Sequence, residues 1–188
     1  MAKTWIETFS GRQVDLISPV ASQITIDDIA HHLSRINRFN GATTHPYSVA
    51  QHSIYVSMML PDELALQGLL HDAHEAYLGD LNTPLKNAIC CDMIPAIVNR
   101  LDRAIYESLG IDQPSPEARL LIKRADLQAM ADEKAFLKPH SQSLWEEYGL
   151  PPPAGKISVV LTYDEAKQTF LNRFRRFYDR TPRLQANS

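Results

Sequence analysis

Apolar residues recur at three- and four-residue intervals along most of this chain, and this spacing predicts amphipathic α-helices. The clearest stretch covers residues 93–109, where Ile94, Ile97, Leu101 and Ile105 fall on one stripe. A helix with such a stripe has to bury it against another element, so several of them in one chain favour a shared core. We therefore expect an all-α helical bundle.

Residues that start and stop helices divide the chain further. Asp27 or Asp28 is predicted to cap the first helix, and Pro46 suits the first turn of the second. A third helix is predicted to open at Pro61 and to run to Gly79. The remaining predictions are a hairpin or extended arm over residues 4–26, a short helix over 85–88, helices over 93–109 and from 115 through 130, a proline-rich loop over 139–161, and a last helix that begins at the capping box of residues 162–165.

Length and charge narrow the class of protein. The 188 residues, 44% hydrophobic and 22% charged, suit one domain over residues 1–188. A net charge of −3 provides no broad basic field, so binding to nucleic acid is not expected. The N-terminus lacks a signal-peptide pattern, no apolar stretch is long enough for a membrane span, and the adjacent Cys90 and Cys91 indicate reduced thiols. We expect a cytoplasmic protein without a membrane partner.

Four polar residues fall on three of the predicted helices. His52 lies on the second helix, His71 and Asp72 on the third, and Asp126 on the sixth. His71 and Asp72 directly follow Leu69-Leu70 on a helix that the apolar pattern predicts to be buried. Burying a neutral polar group there without a partner would cost about 2–7 kcal/mol. A divalent transition metal bound by imidazole and carboxylate groups would remove that cost. We expect the four residues to share one ion in the bundle core.

The third predicted helix carries another acid. Glu75 follows His71 by four residues and Asp72 by three, so the three would share a face of a continuous helix. Glu75 is therefore a candidate base that orients the attacking water, rather than a ligand. His74 lies near the same face, and its role as a supporting residue or a further ligand stays open.

With these residues in place, the chain resembles the HD phosphohydrolase superfamily, which is named for the order H…HD…D seen here in His52, His71-Asp72 and Asp126. The likeness extends to neighbouring segments and covers roughly residues 6–135, with the defining region at about 27–135. It is closest to the small bacterial and phage deoxynucleotide phosphohydrolases, including phage dATP triphosphohydrolases, and to the bacterial 5′-deoxynucleotidases. The matching segments are residues 36–39 (INRF), 47–53 (YSVAQHS), 71–77 (HDAHEAY) and 79–86 (GDLNTPLK).

This resemblance implies an HD-type bundle and a role for each matching residue. The four named residues would hold one catalytic metal (Zn, Co, Mn, Ni or Fe), and a second ion such as Mg or Co could sit on the substrate phosphates. Arg38 would contact the phosphate near the scissile bond, Glu75 would activate water, and Asp80 would assist as an acid or polar contact. The substrate residues would be Lys86 and Lys123 on the phosphate tail, with Phe39 and Pro84 against the base or sugar.

The resemblance also implies what the protein acts on. The leading expectation is a deoxynucleoside triphosphohydrolase that favours dATP and forms a homo-oligomer, either a dimer or a hexamer. A 5′-deoxynucleotidase acting on monophosphates is the alternative, although two lysines suit a longer phosphate chain. A non-catalytic nucleotide sensor and a cyclic-nucleotide phosphodiesterase are more remote alternatives. His74 departs from the family, in which a small residue usually stands at this position.

Overall fold

In the computed structural model, a β-hairpin precedes a bundle of α-helices, which confirms the predicted all-α class and the N-terminal hairpin. The structure describes residues 3–89, 92–141, 147, 149–155 and 157–182, so Cys90 and Cys91 lie outside the described residues. The elements are β1 (Trp5–Glu7), β2 (Gln13–Asp15), α1 (Ile26–Leu33), α2 (Val49–Met59), α3 (Asp62–Leu69), α4 (Glu75–Leu78), α5 (Thr83–Ile89), α6 (Met93–Leu109), α7 (Pro116–Leu137) and α8 (Tyr163–Tyr178).

Helix α8 packs against α1, α2 and α3 and completes the main core. Its apolar face carries Phe170, Phe174 and Phe177, which are all buried. The stripe predicted over residues 93–109 faces the same core, with Leu101 and Ile105 fully buried. Helices from both ends of the chain therefore share one apolar core. Within the described part of the chain, none of the helices has the length and apolar composition that crossing a membrane would require.

The third predicted helix is interrupted, which corrects the expectation of a continuous helix from Pro61 to Gly79. Helix α3 ends at Leu69, and α4 begins only at Glu75. A ring nitrogen of His71, Nδ1, contacts the Gly68 carbonyl oxygen at 2.9 Å. A continuing helix would need this oxygen for the backbone N–H of Asp72. The residues after the break are linked by backbone bonds between residues three apart, as in a 3₁₀ turn.

The start of α2 also differs from the prediction. Pro46 lies outside the helix, which begins at Val49. Ser48 is the N-cap, and its side-chain oxygen accepts a hydrogen bond from the backbone N–H of Gln51. The residues before it extend along the 36–38 segment, where the backbone N–H of Arg38 donates to Tyr47 O. The extended segment therefore delays the helix by three residues and fixes the backbone beside Arg38.

Asp28 attaches the hairpin to the bundle. Its buried carboxylate accepts hydrogen bonds from Thr8 Oγ1, from the Ser10 backbone N–H and hydroxyl, and from Thr25 Oγ1, at 2.7–3.0 Å. The cap of α1 is Thr25, so the predicted capping by Asp27 or Asp28 is wrong. Burial favours the neutral carboxyl group, but the hydrogen bonds outweigh it and hold the pKa of Asp28 below its ordinary value.

Replacing Asp28 with asparagine is expected to lower the free energy of unfolding at neutral pH by about 1–3 kcal/mol, because buried donors lose a charged acceptor. Since the folded pKa is depressed, the carboxylate stabilises the protein above its unfolded pKa of about 3.9 and less as the pH falls towards the folded value. Urea unfolding of both proteins from pH 7 to pH 3 measures this. A difference that stayed constant over this range would contradict the assigned role of the charge.

Candidate functional site

The structure brings together the four side chains that the sequence predicts as metal ligands. His52 comes from α2, Asp126 from α7, and His71 and Asp72 from the turn between α3 and α4. His52 Nε2 lies 3.2 Å from Asp126 Oδ1 and 3.6 Å from Asp72 Oδ2. His71 Nε2 lies 3.0 Å from Asp72 Oδ2 and 4.0 Å from Asp126 Oδ1. The break after α3 lets two adjacent residues approach one point, which a continuous helix would restrict.

The two histidines are oriented as metal ligands are. His52 Nδ1 contacts Glu133 Oε1 at 2.7 Å, and His71 Nδ1 contacts the Gly68 carbonyl oxygen at 2.9 Å. Both partners are acceptors, so Nδ1 carries a proton, and Nε2 is the atom that faces the cluster and can bind a metal ion. Neither Nε2 atom has a hydrogen-bond partner in the part of the chain that the structure describes, and both are buried. These orphaned atoms fit a bound cation.

The charges of the cluster point the same way. Burial and Arg38 lower the pKa of His52, but Glu133 and Asp126 outweigh them and raise it to about 9. Burial disfavours the charge on Asp72 as well, yet the neighbouring histidines hold its pKa well below the ordinary value. Acidic groups thus dominate this interior and favour a positive charge at its centre. A divalent ion bound by two imidazoles and two carboxylates matches that demand.

Glu133 is a further candidate site residue that the sequence reasoning missed. It is fully buried on α7, where one oxygen contacts His52 Nδ1 and the other accepts a 2.9 Å hydrogen bond from Arg38 Nε. Arg38 itself is buried, and although burial alone would lower its pKa, Glu133 and other carboxylates raise it. The available sequence signal is the spacing, because Glu133 follows Asp126 by seven residues and shares its helix face.

Glu75, the first residue of α4, faces the cluster. It is buried, and its Oε2 has no hydrogen-bond partner among the described residues. Burial raises the pKa of Glu75 to about 9, and the charges of Asp72 and Asp80 add to this effect. A cation beside Glu75 would oppose this shift and restore the carboxylate that can accept a proton. Glu75, the predicted base, therefore lies near the predicted ion, and its pKa would depend on whether that ion is bound.

A cavity of about 280 Å³ opens over the cluster. This volume is close to the lower end of the range for small-molecule pockets, about 300–1,000 Å³. All of the substrate residues predicted from the resemblance line it, namely Arg38, Phe39, Pro84, Lys86 and Lys123. Asp80 and Glu75, predicted as catalytic, line it too, and so do Asp72 and Asp126. Lining residues that the sequence reasoning missed include Met130, Lys134, Lys138 and Leu150.

The cavity is rich in positive charge next to the acidic cluster. Lys123 Nζ lies 2.7 Å from Asp126 Oδ2 and so neutralises one of the candidate ligands directly. Lys86, Lys134 and Lys138 line the same space. These cations lie at different distances from the candidate metal position. A ligand with several negative charges, bound over the cluster, would therefore contact more than one of them.

The backbone at the edge of this cavity is in a rare conformation. Phe39 and Asn40 have φ values of 55° and 52°, and Gly41 follows at 73°. Asparagine and glycine tolerate this region, but phenylalanine does not, and such a residue costs about 1–3 kcal/mol. The Phe39 ring lies 5.5 Å from the Arg38 guanidinium and 5.4 Å from Lys138 Nζ. Strain of this kind concentrates at ligand-binding positions, and contact between Phe39 and a substrate stays a prediction.

The segment before α8 is attached to the helices that carry the cluster. The Gln51 side chain donates to Val159 O at 2.7 Å and accepts from the Leu161 N–H at 2.9 Å. On α7, Asp132 accepts hydrogen bonds from the Tyr55 hydroxyl at 2.6 Å and from the backbone N–H groups of residues 154 and 155. Leu150, which precedes these contacts in the chain, lines the cavity, so the proline-rich region contributes to its wall.

Comparisons with known proteins reveal two relatives of similar length. No family model matches the chain. The chain is 34% identical over 172 residues to the uncharacterized protein YfdR of Escherichia coli, covering 91% of this chain and 94% of that protein. It is 35% identical over 165 residues to the uncharacterized protein RCAP_rcc00048 of Rhodobacter capsulatus, covering 81% and 83%. The 172 matched residues exceed the region 6–135, so the relationship to YfdR includes part of the C-terminal region.

Proposed function

This chain belongs to the family of YfdR and RCAP_rcc00048, and we propose that it is a metal-dependent phosphohydrolase of the HD superfamily that acts on deoxynucleoside triphosphates. One observation carries the proposal. Two orphaned imidazole nitrogens and two carboxylates converge on one point beneath a cavity lined by an arginine and four lysines. A site for a structural metal alone would need neither the buried Glu75 nor this array of cations.

The ligand set defines what the ion would contribute. His52, His71, Asp72 and Asp126 would hold one divalent transition metal, and zinc, cobalt, manganese, nickel and iron all accept such mixed ligands. When bound, an ion of this kind lowers the pKa of a coordinated water and polarises a phosphoryl oxygen. Glu133 keeps His52 in the tautomer that exposes Nε2, so it is a positioning residue for this site.

The remaining residues would divide the work on the phosphate. Glu75 accepts the proton of the attacking water, and Asp80 assists from the same cavity wall as an acid or polar contact. Arg38 donates through Nε to Glu133, and its two Nη nitrogens would bind phosphate oxygens as a paired donor. Phe39 and Pro84 would pack against the sugar or base. No covalent intermediate on the protein is needed.

The number of cations favours a triphosphate over a monophosphate. Lys86, Lys123, Lys134 and Lys138 line the cavity in addition to Arg38. A monophosphate carries its charge at one phosphate group and would reach few of these cations, whereas a triphosphate extends past several of them. The resemblance to phage enzymes makes dATP the first candidate. We also propose, from the same resemblance, a cytoplasmic homo-oligomer, either a dimer or a hexamer, whose partner is a small nucleotide rather than nucleic acid.

A product screen tests the proposal. The purified protein is incubated with each deoxy- and ribonucleoside mono- and triphosphate and with cyclic nucleotides, with Zn²⁺, Co²⁺, Mn²⁺, Ni²⁺ or Mg²⁺. Chromatography and phosphate detection then identify the products. We expect a deoxynucleoside together with triphosphate, or stepwise loss of phosphate from dNTPs. Turnover of monophosphates alone would show a 5′-deoxynucleotidase instead, and metal-loaded protein that leaves every nucleotide unchanged would refute the enzymatic assignment.

Replacing Lys86 with alanine is expected to raise KM for a dNTP by about three- to tenfold, since one charged contact to the phosphate tail is worth about 1 kcal/mol at an exposed position. The KM for the matching monophosphate should change much less. Steady-state kinetics with both substrates measure this difference. Lys3→Ala is the control, because Lys3 lies beside Trp5 on the hairpin and not in the cavity. Equal changes for both substrates would argue against a contact between Lys86 and the tail.

A further inference from the structure

We propose that a second protein-bound metal position lies beside the first, formed by Asp72, His74 and Glu75. One ligand atom from each of these residues lies within 4.8 Å of the other two. Such an ion would be held by the chain itself, without nucleotide, which distinguishes it from an ion carried in on the substrate phosphates. The inference deepens the proposed function and rests on it for the ion at His52.

His74 is oriented like a metal-binding histidine. Its Nδ1 contacts Asp102 Oδ1 on α6 at 3.0 Å, and its side chain is only 12% exposed. A carboxylate that accepts the proton of one imidazole nitrogen directs the lone pair of the other, here Nε2, outward to a ligand. Asp102 would thus orient the imidazole of His74, just as Glu133 orients the imidazole of His52. Asp102 itself lines a separate cavity of about 210 Å³ that also reaches Asp72.

Glu75 supplies the independent sign that something binds here. The residue is only 5% exposed, and its buried Oε2 has no hydrogen-bond partner in the described residues. A carboxylate oxygen buried in this way without a partner is costly, and a cation next to it would remove the cost. One Glu75 oxygen can bind an ion while the other remains available for the proton of the attacking water.

Asp72 belongs to both groups of ligand atoms. A carboxylate has two oxygens, so Asp72 can bridge two ions, and bridged pairs in phosphohydrolases lie about 3.5–4 Å apart. One imidazole and two carboxylates suit a divalent transition ion such as Mn²⁺ better than they suit Mg²⁺, which prefers oxygen and water. The histidine in the sequence HDAHE is therefore the residue that converts a one-metal site into a two-metal site.

Metal stoichiometry without nucleotide tests the second position. The chelated full-length protein is dialysed against Mn²⁺, and the bound metal is measured by mass spectrometry and by electron paramagnetic resonance. We expect two ions per chain with a magnetically coupled spectrum. His74→Ala should keep one ion with an uncoupled spectrum, and Asp102→Asn should weaken the second site about 10–100-fold. His45→Ala, at an exposed histidine outside these groups, should retain two coupled ions.

The outcomes separate this inference from the proposed function. One ion in the wild-type protein, or two coupled ions in His74→Ala, would overturn the second position even if dNTPs were hydrolysed. Two coupled ions that depend on His74, in a protein that hydrolyses no nucleotide, would support the position while refuting the proposed activity. Circular dichroism shows whether His74→Ala is folded. If this variant does not fold, the test of the second position is the Mn²⁺ affinity of Asp102→Asn. An affinity equal to that of the wild type would overturn the second position.

Discussion

Replacing Glu75 with alanine is expected to reduce the rate of nucleotide hydrolysis by about 10²–10⁴-fold while the ion at His52 stays bound. Glu75 faces the cluster but is not among the four residues that would hold this ion, so its loss removes a proton acceptor and not that site. The fold should tolerate the change, since the substitution removes a buried oxygen that lacks a hydrogen-bond partner among the described residues.

The matching substitution is Asp72→Ala, which is expected to abolish both turnover and metal binding because Asp72 belongs to both groups of ligand atoms. Steady-state kinetics and metal analysis on the two variants separate loss of chemistry from loss of the ion. Glu63→Ala, at an exposed position in the first turn of α3, controls for removing a glutamate and should behave as the wild type. Wild-type turnover in Glu75→Ala would disprove the assignment of Glu75 as the base.

The largest expected effect on stability comes from Glu133. Replacing it with leucine leaves the buried guanidinium of Arg38 without its carboxylate and removes the acceptor at His52 Nδ1. Breaking one side of a buried ion pair costs about 3–5 kcal/mol, which for a chain of this size corresponds to a decrease in Tm of about 6–20 °C. Calorimetry of the metal-free protein measures this, because added metal would mask part of the loss.

A second substitution shows whether the effect comes from the unpaired charge. Glu133→Leu combined with Arg38→Met removes both charges and should recover much of the lost stability. The double variant should still bind metal less tightly than the wild type, since His52 lacks its orienting partner. Glu107→Ala, at an exposed position on α6, should change Tm little. If the double variant were no more stable than Glu133→Leu, the ion pair would not explain the loss.

Features determined by neighbouring residues could be predicted from the sequence. The stripe over residues 93–109, the Ser115 cap of α7 and the Thr162–Glu165 capping box all appear where the local pattern places them. The four candidate ligands could be chosen because polar residues in an apolar stretch need partners. Their convergence needs the fold, but each residue carries its own signal.

Features that depend on distant partners could not be predicted. Glu133 pairs with Arg38, 95 positions earlier in the chain, and nothing in the neighbourhood of Glu133 identifies that partner. The break after α3 depends on a contact between the His71 side chain and a backbone carbonyl, which helix periodicity does not reveal. Lys134 and Lys138 reach the cavity only because α7 passes beside Phe39, so the prediction covered two of the four lysines that line it.

The place of α8 in the core has a consequence for how the protein is made. Helices α1, α2 and α3 are synthesised first, and their apolar faces stay uncovered until Phe170, Phe174 and Phe177 of α8 pack against them. Until the last helix emerges, the nascent chain carries candidate ligands on helices whose core is unfinished, a state prone to aggregation. Truncation before residue 163 should therefore leave a chain that needs chaperones, even though every candidate ligand precedes the cut.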